Sequence, residues 1–210
     1  KDEKLQNLVE KVDGYFKNEN DKRVLWSMPV ELGPNKGTIP FHCLVVSLYL
    51  HPKCVKLRRL VKKVDGYFKD ETEKRVLWTR PVAAGTHKGT TPFHFLIACF
   101  HQESANAELR RLVKKVDGYF KGGNEKGALW NRPAEGGLYK GITPFYLLLA
   151  VLRFNHNSEN LLNLVEKVVG YFKNEKERRR LWSRPAEAGE DKGTSPFYWL
   201  LVTLFKNINN

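Results

Sequence analysis

Six histidines (His42, His51, His87, His94, His101 and His156) are the only imidazoles in the chain. Imidazole is the side chain most used to hold metals and to shuttle protons near neutral pH. Their arrangement suits neither task. A helical zinc site places two histidines one turn apart around a glutamate, and zinc modules pair their cysteines closely. No His-Glu-x-x-His occurs, and Cys43, Cys54 and Cys99 follow no regular spacing. The segment from Gly85 to Thr90 (Gly-Thr-His-Lys-Gly-Thr) has the flavour of a phosphate-binding loop. There, however, Lys and Ser/Thr must be adjacent at the start of a helix, and Gly89 separates Lys88 from Thr90. No Gly-x-Ser-x-Gly elbow appears either. No catalytic residue, metal ligand or cofactor is therefore expected.

The elements that carry these residues follow from an internal repeat. Gly-Tyr-Phe begins at Gly14, Gly66, Gly118 and Gly170, a constant spacing of 52 positions. Trp26, Trp78, Trp130 and Trp182 keep the same period, as do Pro29, Pro81, Pro133 and Pro185. So do the Lys-Gly pairs at Lys36, Lys88, Lys140 and Lys192, and the Pro-Phe pairs at Pro40, Pro92, Pro144 and Pro196. Repetition of this kind signals an array in which each unit buries its apolar faces against its neighbours.

Periodicity within a unit predicts three helices. Helix A opens at Pro-Phe, where proline costs no hydrogen bond, and Phe93, Leu96, Ile97 and Phe100 form one apolar stripe. Thr91, Thr143 and Ser195 stand where a cap belongs, and Ile39 breaks that pattern. Helix B places Leu109, Leu112, Val113 and Val116 on one face, with Arg110, Arg111, Lys114 and Lys115 off it. It either stops at Gly118 in a left-handed cap or runs on to Phe120. A short helix C over 70–78 brings Leu77 and Trp78 to the seam between units, and Pro81 ends it before a Gly-rich loop. The expected fold is all-α, an α-solenoid of four tandem units spanning 1–210 that begins inside helix B and ends after helix A. Lys1 is no natural start, so the chain reads as part of a longer protein.

The segments 88–94 (Lys-Gly-Thr-Thr-Pro-Phe-His) and 140–146 (Lys-Gly-Ile-Thr-Pro-Phe-Tyr) resemble the Gly-x-Thr-Pro-Leu-His opening of ankyrin repeats. The Leu-Val…Gly pattern ending at Gly66 and Gly118 is similar to the end of the second ankyrin helix. An ankyrin unit has about 33 residues, which leaves roughly 19 of each 52 for the A–B loop and the Trp-bearing segment. The resemblance implies a protein-binding scaffold without catalysis, and a histidine at His42 or His94 that bonds backbone between units. Similar arrays occur in proteins that intracellular bacteria deliver into host cells.

Two sets of repeat positions are candidates for binding. On helix A, Leu44, Leu96, Leu148 and Leu200 never vary, whereas Cys43, Phe95, Leu147 and Trp199 do, as do Tyr49, His101, Arg153 and Phe205. His42 and His94 alternate with Tyr146 and Tyr198, an exchange no ligating nitrogen would tolerate. Varied side chains on a constant frame suit an individual protein target. His42, Tyr49, His94, Phe95, His101, Tyr146, Arg153, Tyr198 and Trp199 are the candidate partner-binding residues. The second set is a basic loop edge: Lys36, Arg80, Lys88, Arg132, Lys140, Arg184 and Lys192. With 36 Lys plus Arg against 23 Asp plus Glu, the net charge of +13 favours an acidic protein surface, nucleic acid or anionic lipid. The tryptophans admit a base-stacking role, yet their apolar neighbours favour the core. Apolar runs are too short for a transmembrane segment. Three scattered cysteines and no N-x-Ser/Thr acceptor suit a cytoplasmic, reducing compartment, the cysteines acting as small apolar fillers.

Overall fold

Proline at the first helical position, directly after a polar cap in three of the four units, sets where the chain turns into helix. A computed structural model describes residues 2–208, with side chains from Lys4 onward; Lys1, Asn209 and Asn210 lie outside the described residues. The described chain is all-helical. The A helices are α3 (Pro40–Leu50), α6 (Pro92–Ala98) continued by α7 (Phe100–Glu103), α10 (Pro144–Leu152) and α13 (Pro196–Ile208). The B helices are α1 (Asp2–Tyr15), α4 (Val55–Tyr67), α8 (Ala107–Gly118) and α11 (Glu159–Val169). The C helices are α2 (Glu19–Ser27), α5 (Glu71–Thr79), α9 (Gly122–Trp130) and α12 (Glu175–Ser183).

Caps explain most of these starts. The Thr143 hydroxyl accepts the Tyr146 amide at 3.0 Å, and Ile39, unable to do so, leaves α3 without a side-chain cap. Asn18, Asp70 and Asn174 accept amides at the first turns of α2, α5 and α12. Pro81 restricts the residue before it, so Arg80 leaves α5 with extended backbone (ψ 118). Of the two endings open to helix B, the left-handed cap is not used. Gly14, Gly66, Gly118 and Gly170 have no positive φ; α4 runs through Gly66 to Tyr67, whereas α8 stops at Gly118, short of Phe120.

The link from helix A to helix B is short, with α3 ending at Leu50 and α4 starting at Val55, and the longer stretch between helix B and the next helix A holds helix C and its flanks.

At each junction an A helix packs on the A and B helices of the next unit, as α3 does on α6 and α4. Its leading phenylalanine meets the next tryptophan edge-on. Phe41–Trp78, Phe93–Trp130 and Phe145–Trp182 lie 4.9, 5.0 and 5.1 Å apart between ring centroids. Such aromatic pairs add about 0.5–1.5 kcal/mol beyond area burial. Trp26, Trp78 and Trp130 are buried and Trp182 half-buried, which places this column in the packing between units. Beneath Trp26, Trp78 and Trp130 sits a carboxylate. Asp13, Asp65 and Asp117 accept the indole N–H of Trp26, Trp78 and Trp130 at 2.8, 2.8 and 2.9 Å. The same carboxylates accept Tyr67, Tyr119 and Tyr171 hydroxyls from the following unit, and Lys63, Lys115 and Lys167 ammonium groups with them. Burial pushes the Asp13 and Asp117 carboxyls up, but these donors outweigh it and hold both below the ordinary value. Val169 stands in that column in the fourth unit.

Candidate functional site

Each helix C feeds a loop whose backbone pairs with itself before helix A begins. In the second unit the Val82 amide donates to Thr90 O at 3.0 Å and the Gly89 amide to Val82 O at 2.7 Å. The same pairing joins Val30 to Gly37 and Thr38, Ala134 to Gly141 and Ile142, and Ala186 to Gly193 and Thr194. Consecutive loops are bonded to one another: Ala83 N to Lys36 O at 3.1 Å, Leu138 N to Thr86 O at 3.2 Å, Glu187 N to Lys140 O at 2.8 Å. Close approach makes glycine obligatory at Gly89. Its φ is +78, and a Cβ there would lie 2.0 Å from the Glu135 amide nitrogen.

Between these loop tips and the A helices runs a groove of about 510 Å³, lined among others by Tyr49, His101, Leu138, Tyr139, Arg153 and Phe154. Leu138 and Phe154 are exposed there. The Arg153 guanidinium lies over both Phe154 and Trp199, 4.1 Å from each ring centroid. Its buried Nε has no hydrogen-bond partner among the described residues. His101 meets Phe154 edge-on at 4.5 Å. Under the groove, Phe95 is the hub of an aromatic cluster, with His42, Tyr49, His87 and Tyr139 between 5.2 and 5.8 Å away.

Of the nine helix A candidates, Tyr49, His101 and Arg153 come together in this groove. Tyr198 is exposed on α13, where it meets Trp199 edge-on at 4.9 Å. The other five are a correction: His42, His94, Phe95, Tyr146 and Trp199 are buried. At His94 and Tyr146 the third residue of helix A points into the neighbouring unit's loop, so its side chain serves the junction. His94 Nδ1 accepts the Thr91 amide at 3.2 Å, which leaves Nε2 protonated to donate to Arg132 O at 3.1 Å. The Tyr146 hydroxyl reaches the Thr194 hydroxyl in the same way. Burial pushes the His94 imidazole down to about 3, and burial, then the His87 charge, pushes His42 down to about 4. His42 Nε2 has no partner among the described residues.

The basic edge is thinner than its sequence suggests. Arg80 and Arg184 donate to Ser27 O and Asn131 O, each at 3.2 Å, capping the carbonyl end of the preceding helix C. Arg132 is half-buried beside His94, and Lys140 is paired with Glu187 at 2.9 Å. Lys36, Lys88 and Lys192 are exposed. Of the cysteines, only Cys99 is a buried filler, its thiol pushed up to about 12 by burial; Cys43 is exposed.

His87, Leu138, Tyr139 and Phe154 belong to the groove and its floor, yet helix periodicity could not find them. The signal available was variation at the loop tips: Pro34, Thr86, Leu138 and Glu190 share one column, and Asn35, His87, Tyr139 and Asp191 the next. Among the described residues no three His, Cys, Asp or Glu side chains gather as a metal site, and no helix is long and apolar enough to cross a membrane. The chain matches no protein-family model, no curated protein and no solved structure.

Proposed function

We propose that this chain is an ankyrin-like α-solenoid of four 52-residue units that works as a protein-interaction scaffold, binding an acidic partner segment in the groove between its A helices and loop tips. The reading is supported by one observation above the others. Arg153 is held between two aromatic faces in a groove whose walls include positions that differ from unit to unit. A guanidinium fixed in this way loses little entropy when it meets a carboxylate, and its fork geometry favours a bidentate pair. The exposed Leu138 and Phe154 beside it supply apolar contact area. Catalysis has no part in this reading.

The experiment is affinity capture from cell extract with the wild-type chain and with the Tyr49→Ala, His101→Ala, Arg153→Ala triple variant. A protein retained by the first and lost by the second is the expected result. Equal retention by both would remove the groove from the account. The other reading, electrostatic binding of nucleic acid or anionic lipid along the loop edge, rests on Lys36, Lys88 and Lys192, since the neighbouring arginines already serve backbone carbonyls.

A further inference from the structure

An arginine bridges consecutive C helices at two of their three junctions. From α2, Arg23 Nη1 donates to both Glu73 carboxylate oxygens on α5, at 3.1 and 2.9 Å, and its Nη2 to Asn20 Oδ1 at 3.1 Å. From α5, Arg75 Nε donates to Tyr119 O at 2.6 Å and Nη1 reaches the Glu125 carboxylate of α9 at 3.3 Å, with the guanidinium 5.9 Å from the Phe120 ring. Between α9 and α12 the donor is gone and the receivers remain. Gly127 stands in the arginine column, while Glu177, Asn124, Tyr171 and Phe172 stand in the columns of the carboxylate, the amide, the carbonyl and the ring. All four line a cleft of about 330 Å³. The Glu177 carboxylate and the Asn124 amide have no partner among the described residues. Neither does the buried Oδ1 of Asn131, which lines the same cleft.

We propose that an arginine side chain of a partner protein enters this cleft, its guanidinium forked onto Glu177 with Asn124 Oδ1 and Tyr171 O as further acceptors. The occupant follows from the two junctions where the chain supplies it. The same acceptors there hold a planar guanidinium, and a carboxylate beside a carbonyl suits that fork better than the point charge of a lysine. Both precedents are side chains on a peptide backbone, so the source assigned is a protein. Ala128 and Pro133 supply apolar wall for the methylenes. Two arginines of the chain stand beside the cleft. Arg184 repeats Arg80, which lines the first junction together with Arg23 and, like Arg184, caps a helix C carbonyl. Arg180, in a column otherwise valine or alanine, makes no bond to Glu177 among the described residues. The cleft lies between C helices, apart from the groove between A helices and loop tips, and does not rest on the reading of that groove.

Titration of the 210-residue chain with N-acetyl-arginine amide, followed by proton–nitrogen NMR, tests this. The Asn124 and Asn131 side-chain amide signals should shift saturably, with a Kd of about 1–10 mM. N-acetyl-lysine amide should bind at least about threefold more weakly, and free arginine no more tightly than the capped form. Glu177→Gln should weaken capped-arginine binding about tenfold and keep the wild-type circular dichroism, because this carboxylate has no partner to lose. Gly127→Arg returns the chain's own guanidinium to these acceptors and should bind no capped arginine. It should also melt above Gly127→Met, which has similar helix propensity without the charge and meets the same Phe172 ring. Arg180→Val should bind at least as tightly as wild type. The absence of a saturable shift in wild type, binding indifferent to E177Q, equal melting of G127R and G127M, or binding that appears only in R180V would each overturn the proposal. Free arginine binding more tightly than the capped form would overturn a protein as the source.

Discussion

The Tyr119 hydroxyl donates to the Asp65 carboxylate at 2.6 Å across the junction between the second and third units. The Lys115 ammonium shares that oxygen, Oδ2, at 2.8 Å, and Trp78 Nε1–H donates to the other, Oδ1, at 2.8 Å. Burial and then the bond to Asp65 hold the Tyr119 phenol protonated far above its ordinary range. One buried acid thus organises the tryptophan of its own unit and two donors of the next, which ties formation of a unit to docking of its neighbour.

Asp65→Ala leaves the Trp78 indole N–H and the Tyr119 hydroxyl buried without an acceptor. Breaking a buried charged pair from one side costs about 3–5 kcal/mol, and urea unfolding should show a loss of that size. Asp65→Asn keeps an acceptor oxygen and should lose less than the alanine variant. Equal losses for both would mean that packing, not hydrogen bonding, carries the junction.

Two glycines of one repeat column separate backbone strain from loop stacking. Gly193 has φ +87 and nothing within 4 Å of its would-be Cβ, whereas Gly89 faces the Glu135 amide nitrogen. Gly193→Ala should cost about 1–2 kcal/mol, the left-handed penalty alone. Gly89→Ala must also push the neighbouring loop away, and its midpoint in thermal melting should fall clearly further.

Stability should decline as pH drops below neutrality. Burial depresses His42 to about 4 and His94 to about 3 from the ordinary 6.5, so protons bind the unfolded chain first. Their stabilising contribution is complete above about 6.5 and is lost as pH falls through that range toward the folded values. At pH 5 each costs about 2 kcal/mol by linkage. His42→Leu removes an imidazole whose Nε2 has no partner among the described residues. It should be at least as stable as wild type at pH 7 and lose roughly half of the decline by pH 5. An unchanged pH profile would contradict the burial assigned to His42.

The all-helical fold was legible because each start and stop has a local cause. Pro144 after Thr143 opens α10, Pro81 closes α5, and Leu109, Leu112, Val113 and Val116 name the buried face of α8. The groove was legible only in part. Tyr49, His101 and Arg153 were found from variation along helix A, but the same criterion selected His94 and Tyr146, whose variation reflects two ways of bonding the next loop. Variation marks a position freed from one packing solution; whether it faces solvent depends on loop geometry that helix periodicity does not encode. The Asp65 column escaped notice because its three donors come from positions 13, 50 and 54 residues away.

The loop lysines give a clean contrast. Replacing Lys36, Lys88 and Lys192 by Gln removes three exposed charges and leaves the groove intact. Duplex DNA binding by the wild-type chain should stay in the non-specific range, about 10⁻⁴–10⁻⁶ M at physiological salt, and its log–log salt slope should flatten by up to about 0.9 per lost contact. Wild-type affinity well beyond that range, abolished by the three replacements, would favour the polyanion reading.

The most direct measurement of the scaffold reading is the affinity of the captured partner, titrated across a salt series against wild type, the Tyr49/His101/Arg153 alanine variant and the Lys36/Lys88/Lys192 glutamine variant. Loss of the groove side chains should weaken binding by at least about tenfold, a typical hot-spot effect, while the lysine variant stays near wild type and the salt slope remains shallow. Partner binding that survives the groove variant and disappears with the lysines, on a steep salt slope, would contradict the account.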